Sequence, residues 1–346
     1  MMNKVINYEI KNWNDIAADY KDGSLIIGNG ASIALHQDFD FRSLKEKAEE
    51  LKLFDEDIAK LFKEFETDDF ELILRLVWHA KLVNNHLGVV DTLTDQAYKI
   101  LRESLIKIVK VVHCSYSQIE SELPRLYKFT KSFKDVVSLN YDLILYWIRM
   151  YGNESCHGDG HIYKDGFQNG GNIYWDWKAL KEPYYLKPEE KEITRTFYQH
   201  GNLSIFRYSL NLERKIKRGD DVNLLDNIAN YWNDDVIPLF VAEGTGGRKE
   251  ESIRTSKYLS KIYYEILPEL FDNNKNLVIY GWGVGDQENH LVTQVFKNKM
   301  GGKVAISVYK DDQDYCYKVE KLIQKISPKV EIEFFDSQSA GCWNNP

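Results

Sequence analysis

The 346-residue sequence is 43% hydrophobic and 28% charged, a globular balance that supports a full core and leaves no room for a long low-complexity tract. Its formal net charge of -8 argues against a broad basic face, so nucleic acid is not expected as a primary ligand. There is no signal-peptide pattern and no apolar run of roughly eighteen residues, so a cytoplasmic protein that does not enter a membrane is expected.

In chain order, a short helix is predicted around Asn14 to Tyr20. The apolar β-type run Ser24-Leu25-Ile26-Ile27 follows and ends abruptly in Gly28-Asn29-Gly30-Ala31-Ser32. Ser43 and Glu46 have capping-box spacing, and helical periodicity continues through Phe70 to Val83 and Leu93 to Val112. Together they predict a helical insertion of about three helices over 43–130, placed as a cap over a cleft would be. Val136-Val137-Ser138-Leu139 is the next strand, delivering Asn140-Tyr141-Asp142 to its carboxyl end.

Gly152 to Gly171 is rich in Gly, Asn, Asp and His and reads as loop or irregular hairpin. Thr194 to Tyr198 alternates like a strand and ends in Gln199-His200-Gly201-Asn202. Strand then helix is predicted over Leu203 to Asn230, a strand over Val236 to Val241, and an amphipathic helix over Ser256 to Leu267. Leu277-Val278-Ile279-Tyr280 runs into Gly281-Trp282-Gly283-Val284-Gly285-Asp286. A strand at Val304 to Val308, a helix from Asp314 and a strand at Val330 to Phe335 close the chain. The reading is one α/β domain over 1–346 with a Rossmann-like, doubly wound, mostly parallel sheet. Two regions are inserted in it, 43–130 and 150–270, the second holding the His200 strand. In such sheets ligands bind beyond the carboxyl ends of the strands.

Each polar corner has two readings. Gly28-x-Gly30-x-Ser32 suits a pyrophosphate site, since glycines admit close backbone approach, but it also suits a plain strand-helix turn. It departs from the dehydrogenase fingerprint, because Ile33 stands where the third glycine would be. Asn140 and Asp142 can be catalytic or can cap a helix. His200 can be a base or a satisfied structural histidine. His157 and His161 have zinc-like spacing only if helical, which a glycine-rich loop is not, and the cysteines Cys114, Cys156, Cys316 and Cys342 form no close pair. No metal is expected.

Taken in order, G-x-G-x-S, N-Y-D, H-G and G-x-G-x-G-D, each after a strand, resemble the sirtuin-like family. The resemblance runs from about Ser24 to Val308 and is closest to bacterial stand-alone members, many implicated as NAD hydrolases in antiphage defence. Phe240-Val241-Ala242-Glu243-Gly244, Ser256-x-Tyr258-Leu259 and the H-G-N-L run at His200 resemble an uncharacterised subgroup. The resemblance implies a phosphate cradle at Gly28, Gly30, Ala31 and Ser32, and an adenosine-side turn at Gly281, Gly283 and Asp286. It further implies Asn140 as the residue that orients ribose or water, Asp142 as its support and His200 as general base.

The sirtuin deacetylases carry a four-cysteine zinc ribbon, for which this chain has no cysteine pairs. The expected activity is therefore NAD glycohydrolysis, with NAD as substrate, giving nicotinamide and ADP-ribose. A non-catalytic sensor of NAD or ADP-ribose is the alternative. Because unrestrained NAD loss is toxic, a homo-oligomer or a regulatory protein partner is expected to hold the enzyme in check.

Overall fold

The computed structural model describes residues 7–40, 43–168, 173–176, 192–209, 212–216, 224–232, 236–241, 246–271, 275–285, 288–297 and 301–344. The strands, in chain order, are β1 (Ile10–Lys11), β2 (Ser24–Ile27), β3 (Asp135–Ser138), β4 (His161–Lys164), β5 (Phe167–Gln168), β6 (Ile173–Trp175) and β7 (Glu192–Tyr198). They continue as β8 (Gly201–Ser209), β9 (Leu212–Lys215), β10 (Ile237–Phe240), β11 (Leu277–Tyr280), β12 (Lys303–Val308) and β13 (Glu331–Asp336).

Eight of them form the principal sheet in the order β1-β13-β12-β11-β2-β3-β7-β4, and each pairing is parallel. Parallel central strands are covered on both faces, which is why Leu25, Ile26, Val136, Val137, Val278 and Ile279 form near-continuous apolar runs, all at most 1% exposed. Helices flank the sheet, and the fold is the expected Rossmann-like α/β architecture. In register, Ile27 lies opposite both Ser138 and Tyr280, and Ser138 lies opposite Tyr198. The chain therefore leaves β2, β3, β7 and β11 side by side at one edge. It moves outward from β2 to β3 and β7, then returns to β11 on the other side of β2. The crevice between β2 and β11 is the switch point where such sheets take ligands.

Two expectations are corrected by the fold. The helical insertion holds more than three helices: Leu44–Glu50, Glu56–Glu64, Phe70–Leu87, Thr92–Val112, Tyr116–Ile119 and Leu123–Thr130. The periodicity of 44–65 hid a break, at which Asp55 starts a new helix by accepting the Ile58 amide at 2.9 Å. The stretch from Gly152 is also not loop throughout. Gly152 belongs to the helix Ile144–Ser155, and His161–Lys164 is β4, paired in parallel with β7.

The region 150–270 divides accordingly. β4 and β7 join the principal sheet, while β5, β6, β8, β9 and β10 form a separate antiparallel sheet in the order β10-β8-β9-β6-β5. Residues 169–171, Ala242, Glu243 and Gly244 lie outside the described residues.

Candidate functional site

The turn after β2 is shaped by its neighbour after β11. Gly281 has φ +65, and a Cβ there would stand 2.3 Å from the Ala31 amide nitrogen. On the facing side, Cβ atoms at Gly28 and Gly30 would stand 2.5 Å from Trp282 Cα and 2.9 Å from the Gly281 carbonyl oxygen. The amides here are spent on this packing: Gly28 donates to Tyr280 O at 2.9 Å, Gly30 to Gly281 O at 2.7 Å, and Ala31 to Gly28 O at 3.0 Å. These glycines serve backbone contact between two turns, whatever else they serve. Trp343 ties down the same turn by donating from Nε1 to Ala31 O at 2.9 Å.

Asn140 leaves β3 and reaches across the crevice. Its Nδ2 donates to Gly28 O at 3.0 Å and to Ser32 Oγ at 2.8 Å, and Ser32 Oγ donates to Asp142 Oδ2 at 2.5 Å. The other oxygen of Asp142 accepts the Ile144 amide at 2.9 Å, at the start of the helix Ile144–Ser155. Asp142 thus accepts the first amide of that helix and braces the Asn140 loop. Burial raises its carboxyl above the ordinary range, against the hydrogen bonds from Ser32, Ile144 and Asn140.

Asn202 donates to Asp142 O, and the Leu203 amide donates to Tyr141 O at 2.8 Å. The start of β8 is thereby stitched to the same loop. Beneath it lies His113, whose Nδ1 donates to Cys114 O at 2.7 Å while its Nε2 accepts the Leu143 amide at 2.9 Å.

His200 follows β7 and is 3% exposed. Only glycine can succeed it, because Gly201 has φ +75 and a Cβ there would stand 2.0 Å from Leu239 O. Nδ1 of His200 lies 2.8 Å from Leu139 O, and since a carbonyl can only accept, the proton sits on Nδ1. The Nε2 lone pair has no hydrogen-bond partner, and His200 lines a cleft of about 280 Å³. Burial pushes the ring down to about 4, so it is neutral at physiological pH.

Gly28, Asn140, Asp142 and Gly283 line the same cleft. The structure thus brings together the corners after β2, β3, β7 and β11. Gly283 faces open space, with nothing within 4 Å of where a Cβ would stand. Asp286 lies outside the described residues.

The family comparison can be set beside this geometry. The chain belongs to the family described as a domain of unknown function, DUF4917, which matches residues 25–343. No curated protein matches the chain. The matched span of this DUF4917 member runs from β2 to the Trp343 tie and so includes every side chain of the cleft.

The other two histidines stand elsewhere in the DUF4917 fold. His161 begins β4 opposite Glu192, at the amino edge of the sheet, where its Nε2 bonds Thr194 Oγ1 at 2.9 Å. His157 lies in the 3-10 turn just before it, and its side chain is outside the described residues. Among the described residues, no three His, Cys, Asp or Glu side chains gather as a metal site would require.

Among the cleft residues that the sequence reading gave no role are Lys249, Trp282 and Glu288. Lys249 Nζ donates to Glu288 Oε1 at 2.9 Å, and Trp282 Nε1 donates to Glu288 Oε2 at 2.6 Å. Burial works to raise the Glu288 carboxyl, but His200, Lys249 and these two hydrogen bonds outweigh it and hold it below its ordinary value. Lys249 sits on the helix Gly246–Arg254, whose sequence, GGRKEESIR, marks no one charged residue out from another. Only Trp282, set between two glycines, carried a visible signal. Val284, also in the cleft wall, has φ +45, a left-handed conformation that is sterically costly for a β-branched residue, on the order of 1–3 kcal/mol.

Proposed function

We propose that the cleft binds NAD and cleaves its nicotinamide–ribose bond, releasing nicotinamide and ADP-ribose, as the sirtuin-like order of the four motifs implies. The observation that carries this reading is His200. It is buried and neutral, is fixed through Leu139 O, lines the switch-point cleft beside Asn140, and has an Nε2 with no hydrogen-bond partner in the protein.

The leaving group is a cationic pyridinium that departs neutral, so the reaction needs no strong acid. It needs a held ribose and an acceptor for a hydroxyl or water proton, which the Nε2 lone pair supplies. The Asn140 amide fixes the height of the Gly28 turn against the β3 loop and so sets the floor on which the ribose would rest. A second groove of about 1110 Å³ shares Asn29, Trp282 and Gly283 with the cleft, leaving room for the rest of a dinucleotide.

Two observations favour the alternative, a module that binds NAD or ADP-ribose without turnover. Both Nδ2 hydrogens of Asn140 are committed within the protein, and a ring at about 4 is a weak base near neutral pH. The experiment is direct: incubate the protein with NAD and quantify nicotinamide by chromatography while measuring NAD binding by calorimetry. Nicotinamide release that disappears in His200→Ala supports the enzyme. Binding without release supports the sensor, and neither result overturns both.

A further inference from the structure

The cleft holds an ion pair that the chemistry above does not use. Lys249 is its only lysine or arginine among the described residues, and it is 7% exposed. Its ammonium bonds Glu288, which keeps a second donor in the Trp282 indole. The acids of the cleft, Asp142 and Glu288, outnumber its single cation, an awkward balance for an anionic ligand.

The usual source of positive charge for a phosphate at such a turn is the backbone, and here that source is partly closed. The amides of Gly28, Gly30 and Ala31 are bonded to Tyr280, Gly281 and Gly28 carbonyls. With those amides committed, Lys249 is the one cationic side chain that the described residues offer a phosphate in this cleft.

We propose that Lys249 is the phosphate-holding residue of the cleft, exchanging Glu288 for the pyrophosphate of a dinucleotide or ADP-ribose. The site is then built as a stored cation. Unliganded, the ammonium rests on Glu288, where a buried charge must be paired. Liganded, it turns to the phosphate, and Glu288 keeps the Trp282 hydrogen bond. Glu288 competes with the ligand for the lysine, so phosphate affinity is set by the difference between two ion pairs. One consequence reaches the base: Glu288 favours a proton on His200 and Lys249 opposes it, so drawing Lys249 away removes one of the influences that hold the ring neutral.

This inference rests on the NAD reading, and ADP-ribose is the probe that separates the two. Affinity is measured by titration calorimetry at two salt concentrations for wild type, Lys249→Met, Lys249→Arg and Glu288→Gln, with thermal unfolding of each. The expected results are at least tenfold weaker binding in Lys249→Met, with a flatter salt dependence. Lys249→Arg should lie within about threefold of wild type, and Glu288→Gln should bind as tightly or tighter, because the competitor for the lysine is gone. If the pair merely props the cleft open, Glu288→Gln loses affinity alongside Lys249→Met, and the proposal fails. It fails equally if Lys249→Met, folded by its unfolding curve, binds ADP-ribose within twofold of wild type, an outcome that leaves the NAD reading standing. Wild type that binds neither NAD nor ADP-ribose at millimolar concentration removes the NAD reading and this inference with it.

Discussion

Two histidines lie against the loop from Leu139 to Leu143, one beneath it and one on its ligand side. His113 and His200 are both buried, both carry the proton on Nδ1, and both give it to a backbone carbonyl. They differ at the other nitrogen: Nε2 of His113 accepts the Leu143 amide, whereas that of His200 has no protein partner, in a residue that lines the cleft. The same residue, burial and tautomer thus yield a strut in one place and, on the proposed function, the base in the other. What separates them is whether the second lone pair is consumed by the fold. His161 adds a third case: its Nδ1 has no hydrogen-bond partner, but the ring packs edge-on against Tyr127 and Tyr163 and lines neither groove described above. An unused nitrogen matters only where a ligand can reach it.

The sharpest way to break this comparison is to remove each ring. His200→Ala should lower NAD hydrolysis by about 10² to 10⁴ while the protein stays folded. His161→Ala, at the opposite edge, should change turnover only modestly. His113→Ala should cost stability by stranding the Leu143 amide, about 1–3 kcal/mol. Near-normal turnover in His200→Ala, together with its abolition in a well-folded His161→Ala, would reverse the assignment.

The pair also predicts a pH response. Burial holds His113 and His200 at about 4 in the folded chain, whereas an unfolded histidine titrates near its ordinary value of about 6.5. Between those values the unfolded chain binds more protons, so stability fully present above pH ~6.5 is lost as pH falls toward ~4, by about 3 kcal/mol for each ring. Urea midpoints recorded at falling pH should decline over that window, and His200→Gln should flatten the slope. A midpoint independent of pH across the window would mean that the two rings are not held neutral by burial.

Smaller effects test the turns. Gly281→Ala combines a left-handed backbone with a close contact to Ala31 and should destabilise by about 1–3 kcal/mol, read as a drop in melting temperature. Gly283→Ala points its methyl into open space at the cleft, so stability should change by less than about 0.5 kcal/mol. Any effect of this variant belongs in NAD affinity. If the two substitutions destabilise equally, the turns are not packed as described.

Much of this arrangement was legible in the linear chain. An apolar run such as Leu25-Ile26-Ile27 that stops at glycine, or Val136-Val137 that stops at Asn140, is a local pattern, and a parallel sheet sends every such stop to one edge. That is why Gly28, Asn140, His200 and Gly283 are expected together from the sequence. The same local logic misjudged Gly152 and His161. A glycine-rich stretch looks like loop, and nothing nearby showed that β7 would supply a partner for His161–Lys164. The antiparallel second sheet was not foreseen as a separate layer, since strands as short as β5 and β6 have no usable period.

The sequence by itself determined the α/β class, the order of the strand ends and the residue types delivered to the ligand edge, because each depends on neighbours a few positions apart. Tertiary structure decided the rest. It set the proton on Nδ1 of His200 through Leu139 O, committed the Gly28 and Gly30 amides to Tyr280 and Gly281, and brought Lys249 to Glu288 across 39 residues. These depend on which groups meet when distant segments pack, and burial then forces each polar atom to find a partner or to be left without one, like Nε2 of His200.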